Sequence, residues 1–157
     1  MTNNKIIFLD IDGVLAPYRR SNEYNYCCGH FINEPYGILR FDTECVNNLN
    51  SLIVRSGAKI VVSSSWRCSV PIEYMSRMLE EQEVIGEFLD YTPYSEHGRA
   101  DEINKWLSDK DVTNFAIIDD TPYKWGNLSP FWVRTDPHRG LFKKDIEFAM
   151  SLFNNML

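Results

Sequence analysis

Short apolar runs that end in polar or acidic residues constrain the fold of this chain more than any other feature. KIIFL (5–9), KIVVS (59–63) and NFAIID (114–119) are too short for typical helices and lack polar alternation. Such runs are typical of strands buried on both faces of a parallel sheet. FWVRT (131–135) is predicted as a fourth strand. The sequence therefore predicts a central parallel sheet.

Apolar residues at helical spacing alternate with these strands. Helices are predicted at residues 42–57, 71–82, 99–107 and 141–153. Asp42 or Thr43 can cap the first helix and Gly57 can close it, whereas Ser69 and Pro71 can supply the cap and the first-turn proline of the second. Alternating strands and helices predict an α/β fold, and 157 residues suit one domain spanning 1–157.

The segment 16–41 shows no helical period and contains Pro, Gly, Asn and four tyrosines, so we expect a flap or small insertion. Cys27, Cys28 and His30 within it could bind zinc, but no second ligand pair follows at finger spacing. A loop with free thiols is the favoured interpretation.

Cysteine usage and charge indicate the cellular setting. The four cysteines show no disulfide framework, and residues 1–9 show no secretory or transit pattern, so we expect a cytoplasmic protein. No apolar stretch approaches the ~20 residues that a membrane span requires. The net charge of −6 argues against a broad basic surface for nucleic acid, although not against a local basic rim.

Polar residues that follow the strands are expected to meet at one edge of the sheet. They are Asp10, Asp12, Ser64, Asp119 and Asp120. Carboxylates packed together repel one another unless a cation lies among them. Mg²⁺ is the natural partner, because it binds a few carboxylates and shares its remaining positions with water and phosphate. The pattern therefore predicts a magnesium site for phosphate chemistry.

The two acids of DIDG can divide this chemistry. Asp10 is placed to attack phosphorus as a nucleophile. Asp12, two residues on, can give a proton to the leaving oxygen and later take one from water. Gly13 lets the chain turn and bring backbone N–H groups near the phosphate.

Four segments resemble the motifs of the haloacid dehalogenase (HAD) superfamily, in the family's order. FLDIDGVL resembles motif I, KIVVSSSWR motif II, HGRADEINKWL motif III and FAIIDD motif IV. The resemblance covers residues 5–120. It implies a three-layer α/β/α Rossmann-like HAD core without a full cap domain. It also implies a Mg²⁺-dependent phosphatase that forms an aspartyl-phosphate.

The resemblance assigns roles to particular residues. Asp10 would be the nucleophile and a metal ligand, and Asp12 the acid–base residue, whose main-chain carbonyl would also bind Mg²⁺. Arg99 stands where the family usually has Lys and would bind the phosphoryl group. Asp119 and Asp120 would complete the metal site, and either could contact the ion directly.

Motif II contains three consecutive serines. Ser64 is the favoured phosphoryl contact, with Ser63 and Ser65 as alternatives, and Ser65 is also predicted to contact substrate together with Gly13. Arg67 is as consistent with a substrate contact as with a solvated loop arginine.

Other segments resemble a capless subgroup linked to nucleic-acid repair. They are SSSWR, the R…EI..WL stretch and DPHRGL. Trp66 is expected in the core rather than as a stacking platform. For Arg139 and Gly140, a plain surface loop is favoured over a loop near the site.

The gaps between motifs leave no room for a full cap, which favours a bulky phosphorylated substrate such as a nucleic-acid end. A phosphoprotein, or a partner that supplies its own lid, is an alternative. Further alternatives are a small-molecule or nucleotide phosphatase, a non-enzymatic phospho-acceptor and a binding protein on a HAD scaffold. The sequence makes no prediction about the oligomeric state.

Overall fold

The computed structural model describes residues 4–18 and 40–154. Its strands are β1 (Lys5–Leu9), β2 (Lys59–Val62), β3 (Phe88–Tyr91), β4 (Asn114–Asp119) and β5 (Trp132–Arg134). Its helices are α1 (Thr43–Ser56), α2 (Ile72–Glu81), α3 (Arg99–Ser108) and α4 (Lys143–Asn154). Most of the predicted flap over 16–41, including Cys27, Cys28 and His30, lies outside the described residues.

The five strands form one parallel sheet in the order β3-β2-β1-β4-β5. β1 lies at the centre, and the chain extends the sheet first through β2 and β3 on one side, then through β4 and β5 on the other. The strand order reverses beside β1, and in open parallel sheets such a reversal creates a crevice outside the carboxyl ends of the strands.

Helices cover both faces of the sheet. Leu9 packs in the core that includes residues of α1, α2 and α4, whereas Phe8 packs in the opposite core, which includes Ile103 and Trp106 of α3. Successive residues of a strand point to opposite faces, which explains this division. The predicted three-layer α/β/α architecture is confirmed.

Both ends of α1 follow the sequence prediction closely. Oδ1 of Asp42 accepts hydrogen bonds from the N–H groups of Glu44 and Cys45 at 3.0 and 3.1 Å. Gly57 closes the helix at φ +69°, in the left-handed region that favours glycine.

The structure differs from the sequence prediction elsewhere. β3 was not predicted, because its residues are only partly buried and do not form a continuous apolar run. Pro71 is itself the N-cap of α2, with no side-chain cap bond, so the cap role predicted for Ser69 is wrong.

The chain between β2 and α3 contains α2 and β3, which belong to the core, so no cap domain stands there. Across residues 4–18 and 40–154, none of the helices combines the length and apolar character needed to cross a bilayer.

Candidate active site

Asp10 lies in a row of polar residues at the carboxyl ends of the three central strands. The N–H of Asp10 donates to the carbonyl of Ile118 at 3.0 Å, and the N–H of Ser63 donates to that of Leu9 at 2.9 Å. These bonds continue the parallel register by one residue, which sets Asp10 between Ser63 and Asp119. Alternation along each strand directs all three side chains to the face that α3 covers.

Three acids form a compact cluster in this crevice. One carboxylate oxygen from each of Asp10, Asp119 and Asp120 lies within 4.8 Å of the others. Asp12 is not part of this oxygen cluster among the described residues. The predicted convergence therefore holds for three carboxylates, and the main-chain contact predicted for Asp12 stays a prediction.

Burial disfavours the charged forms of these acids. It raises the pKa of Asp10, an effect that Arg99 partly opposes. Burial and repulsion from Asp10 raise the pKa of Asp119, and burial also raises that of Asp120. Hard carboxylate oxygens that repel one another in a buried site are the donor set that suits Mg²⁺, so the residues present fit this ion.

Gly13 adopts φ +72° at the start of the turn after β1. Its N–H donates to the carbonyl of Ala16 at 2.9 Å, so this donor is bonded within the turn itself. The substrate contact predicted for Gly13 stays a prediction. From the far end of the chain, Thr135 Oγ1 donates to the Gly13 carbonyl at 2.9 Å, and the Leu141 N–H donates to that of Val14 at 2.8 Å. The segment after β5, which contains Arg139 and Gly140, is therefore hydrogen-bonded to this turn.

Arg99 is the first residue of α3, and its side chain extends into the acid cluster. Its Nη1 donates to Oδ2 of Asp119 at 3.0 Å and lies 3.6 Å from Oδ1 of Asp10. The side chain is buried, and Tyr123, which is 39% exposed, places its ring centroid 5.3 Å from the guanidinium carbon. A fixed cation thus stands beside the predicted nucleophile.

A buried carboxylate links Arg99 to the loop after β2. Oε2 of Glu102 lies 3.6 Å from Nε of Arg99, and its Oε1 lies 2.5 Å from Nη2 of Arg67. Arg67 also donates to the carbonyls of Ser63, Ser64 and Thr92 at 3.2, 2.7 and 3.0 Å. The Arg67 side chain is 6% exposed and bound to the protein, unlike that of a solvated loop arginine. Its predicted substrate contact stays a prediction.

The serines of motif II occupy different environments. Ser63 and Ser64 are fully buried, whereas Ser65 is exposed. Ser64 Oγ accepts the N–H of Trp66 at 3.3 Å and caps the short 3-10 turn Ser65–Cys68. Ser63 Oγ has no hydrogen-bond partner among the described residues. The choice of phosphoryl contact among these serines stays a prediction.

Trp66 is 7% exposed, as expected for a core residue, and its indole N–H donates to Oδ2 of Asp12 at 2.9 Å. This bond and the contacts of Glu102, Thr135 and Tyr123 were not predicted from the sequence. Only the Arg99–Glu102 spacing of three residues on a predicted helix could have signalled one of these contacts.

Comparison with known families supports the resemblance to the HAD superfamily and the fold. The family model described as the HAD domain in Swiss Army Knife RNA repair proteins matches residues 6–146. This range runs from β1 into α4 and includes all the predicted site residues. No curated protein and no solved structure gives a significant match. The chain belongs to the HAD domain family of Swiss Army Knife RNA repair proteins.

Proposed function

We propose that this chain is a Mg²⁺-dependent phosphatase that hydrolyses phosphate monoesters through an aspartyl-phosphate on Asp10. The observation that carries the proposal is the cluster of Asp10, Asp119 and Asp120, whose oxygens lie within 4.8 Å of one another beside the buried Arg99. A carboxylate nucleophile, an acidic metal site and a fixed cation are the parts that phosphoryl transfer to an aspartate requires.

The chemistry divides into two half-reactions. A carboxylate oxygen of Asp10 attacks phosphorus, the ester P–O bond breaks, and Asp12 gives its proton to the departing oxygen. Asp12 then takes a proton from water, whose oxygen attacks phosphorus, and the bond to Asp10 breaks to release phosphate. Arg99 holds the phosphoryl oxygens through both steps. Mg²⁺, held by Asp10, Asp119 and Asp120, would supply positive charge against the charge of the phosphoryl group.

A nucleic-acid end is the substrate class that we propose. The family description names RNA repair, and the core described here carries no cap between β2 and α3 that would close over a small metabolite. Tyr123 offers a partly exposed ring beside Arg99, and such rings can stack on a base next to the scissile phosphate.

Turnover of p-nitrophenyl phosphate tests the reaction. We expect repeated turnover that requires Mg²⁺ and is lost in Asp10→Asn. A stable aspartyl-phosphate without turnover would support the phospho-acceptor alternative, and no reaction at all would support a binding protein.

A substrate panel tests the proposed class. It compares oligoribonucleotides phosphorylated at the 3′ or 5′ end with mononucleotides, sugar phosphates and phosphopeptides. We expect the highest kcat/KM with an oligonucleotide end. A preference for a mononucleotide or a sugar phosphate would contradict the substrate class while leaving the chemistry in place.

A further inference from the structure

Trp66 contacts Asp12 directly, across two loops that are distant in sequence. Its indole N–H donates to Oδ2 of Asp12, with 2.9 Å between the two atoms. The bond joins the turn after β1 to the loop after β2. Because Trp66 is 7% exposed, little water competes for this donor.

The protein holds the backbone at Trp66 through hydrogen bonds and the indole ring through packing in the core. The Trp66 backbone N–H donates to Ser64 Oγ at 3.3 Å, and the ring centroid lies 6.4 Å from that of Phe41. Arg67, the next residue, is bound to the carbonyls of Ser63 and Ser64. A side chain whose own rotamer is locked by packing and hydrogen bonds can fix the geometry of its partner.

We infer that Trp66 is a positioning residue for Asp12, an inference that rests on the proposed function. The indole N–H holds the Asp12 carboxyl in one rotamer and keeps Oδ2 a hydrogen-bond acceptor. The proton of the neutral acid is then favoured on Oδ1. An acid that is already oriented transfers its proton without a prior rotation, which lowers the barrier to loss of the ester oxygen.

This role predicts a defect that depends on the leaving group. Phenolate is a strong base and needs a proton as it departs, whereas p-nitrophenolate is a weak base and departs with little help. The two aryl phosphates are otherwise closely similar. Loss of a positioned acid should therefore lower kcat/KM for phenyl phosphate much more than for p-nitrophenyl phosphate.

Trp66→Phe tests this, because it keeps an aromatic ring and removes the N–H. With Mg²⁺ present, we expect kcat/KM for phenyl phosphate to fall about tenfold more than kcat/KM for p-nitrophenyl phosphate. A smaller folded fraction lowers both values by the same factor and leaves their ratio unchanged. Trp66→Met also lacks the donor but fills the space with a flexible chain, so it repeats the comparison with different packing.

Trp106→Phe is the matched control. The Trp106 indole N–H also donates to an aspartate, Oδ2 of Asp90 at 3.3 Å, and its side chain is 5% exposed. The same chemical change is thereby made at an aspartate other than Asp12. We expect the ratio of the two kcat/KM values to match that of the wild type.

The outcomes separate this inference from the proposed function. An equal loss on both substrates in Trp66→Phe and Trp66→Met would overturn the positioning role and leave the phosphatase in place. A wild-type protein that hydrolyses neither substrate would overturn the phosphatase and the positioning role together.

Discussion

Gly13 makes room for the Asp120 carboxylate. A Cβ atom on residue 13 would lie 2.5 Å from both Cγ and Oδ2 of Asp120. Real Cβ contacts are longer, so any side chain there would displace this carboxylate from Asp10 and Asp119. The absence of a side chain at position 13 is thus part of the geometry of the acid cluster.

Gly13→Ala should therefore weaken Mg²⁺ binding by about tenfold or more, which isothermal titration calorimetry would measure. Gly57→Ala is the control. Gly57 has a similar φ of +69°, but among the described residues no atom beyond its chain neighbours lies within 4 Å of the added Cβ. Both variants carry a backbone cost of about 1 kcal/mol in the free energy of unfolding. Equal Mg²⁺ affinity in the two variants would contradict the role of Gly13.

Arg99 supplies a buried positive charge beside Asp10, and Lys105 on the same helix does not. Lys105 is half-exposed and pairs with Asp101 at 2.9 Å. Arg99→Ala should lower kcat/KM for p-nitrophenyl phosphate about 100-fold, whereas Lys105→Ala should leave it near the wild-type value. Full activity in Arg99→Ala would show that another residue binds the phosphoryl group.

At the scale of elements, α3 has two different charged faces. Glu102 faces the sheet, is 5% exposed, and joins Arg99 to Arg67. Asp101, the neighbouring residue, contacts Lys105 on the outer face. The contacts of Glu102 connect motif III, which contains Arg99, to the loop of motif II, which contains Arg67. Helix α3 therefore fixes the positions of both arginines.

Glu102→Gln should lower the free energy of unfolding by about 3 kcal/mol, because two buried guanidinium groups lose their shared carboxylate. Asp101→Asn removes a partly exposed charge from the same helix and should change stability much less. Urea denaturation of both variants measures the difference. Similar stability of the two variants would mean that the contacts of Glu102 with Arg67 and Arg99 do not stabilise the fold.

Sequence predicts some elements better than others for a physical reason. β1 and β4 are central strands buried on both faces, so each appears as an apolar run followed or ended by an acid. β3 lies at the edge of the sheet, and its Leu89 is exposed, so no run marks it. The acids of the site were predictable because they end central strands. Thr135, Glu102 and Trp66, which contact Gly13, Arg99 and Asp12 respectively, lie in other segments, so these contacts become visible only in the fold.

At the scale of the whole molecule, the buried acids link stability to pH. Burial raises the pKa of Asp10 from 3.8 to about 6 and, with repulsion from Asp10, that of Asp119 from 3.8 to about 8. A carboxyl with a higher pKa in the folded than in the unfolded protein binds more protons when folded. The free energy of unfolding therefore decreases as pH rises between about 4 and 8.

Without Mg²⁺, the Tm should be lower at pH 8 than at pH 5, because protonation of these acids stabilises the folded protein. Mg²⁺ should raise the Tm more at pH 8, because at pH 5 protons compete for the same oxygens. Differential scanning calorimetry at both pH values, with and without Mg²⁺, measures this. Asp119→Asn should reduce both effects. An equal Mg²⁺ effect at the two pH values would show that these acids do not couple Mg²⁺ binding to protonation.

We expect Asp10 to become phosphorylated during turnover. Rapid acid quenching with substrate and Mg²⁺ present, followed by mass spectrometry of peptides, locates the phosphoryl group. We expect one phosphoryl group on Asp10, and a larger phosphorylated fraction in Asp12→Asn, where hydrolysis of the intermediate lacks its base. Steady turnover with a phosphoryl group on another residue, or on none, would contradict it.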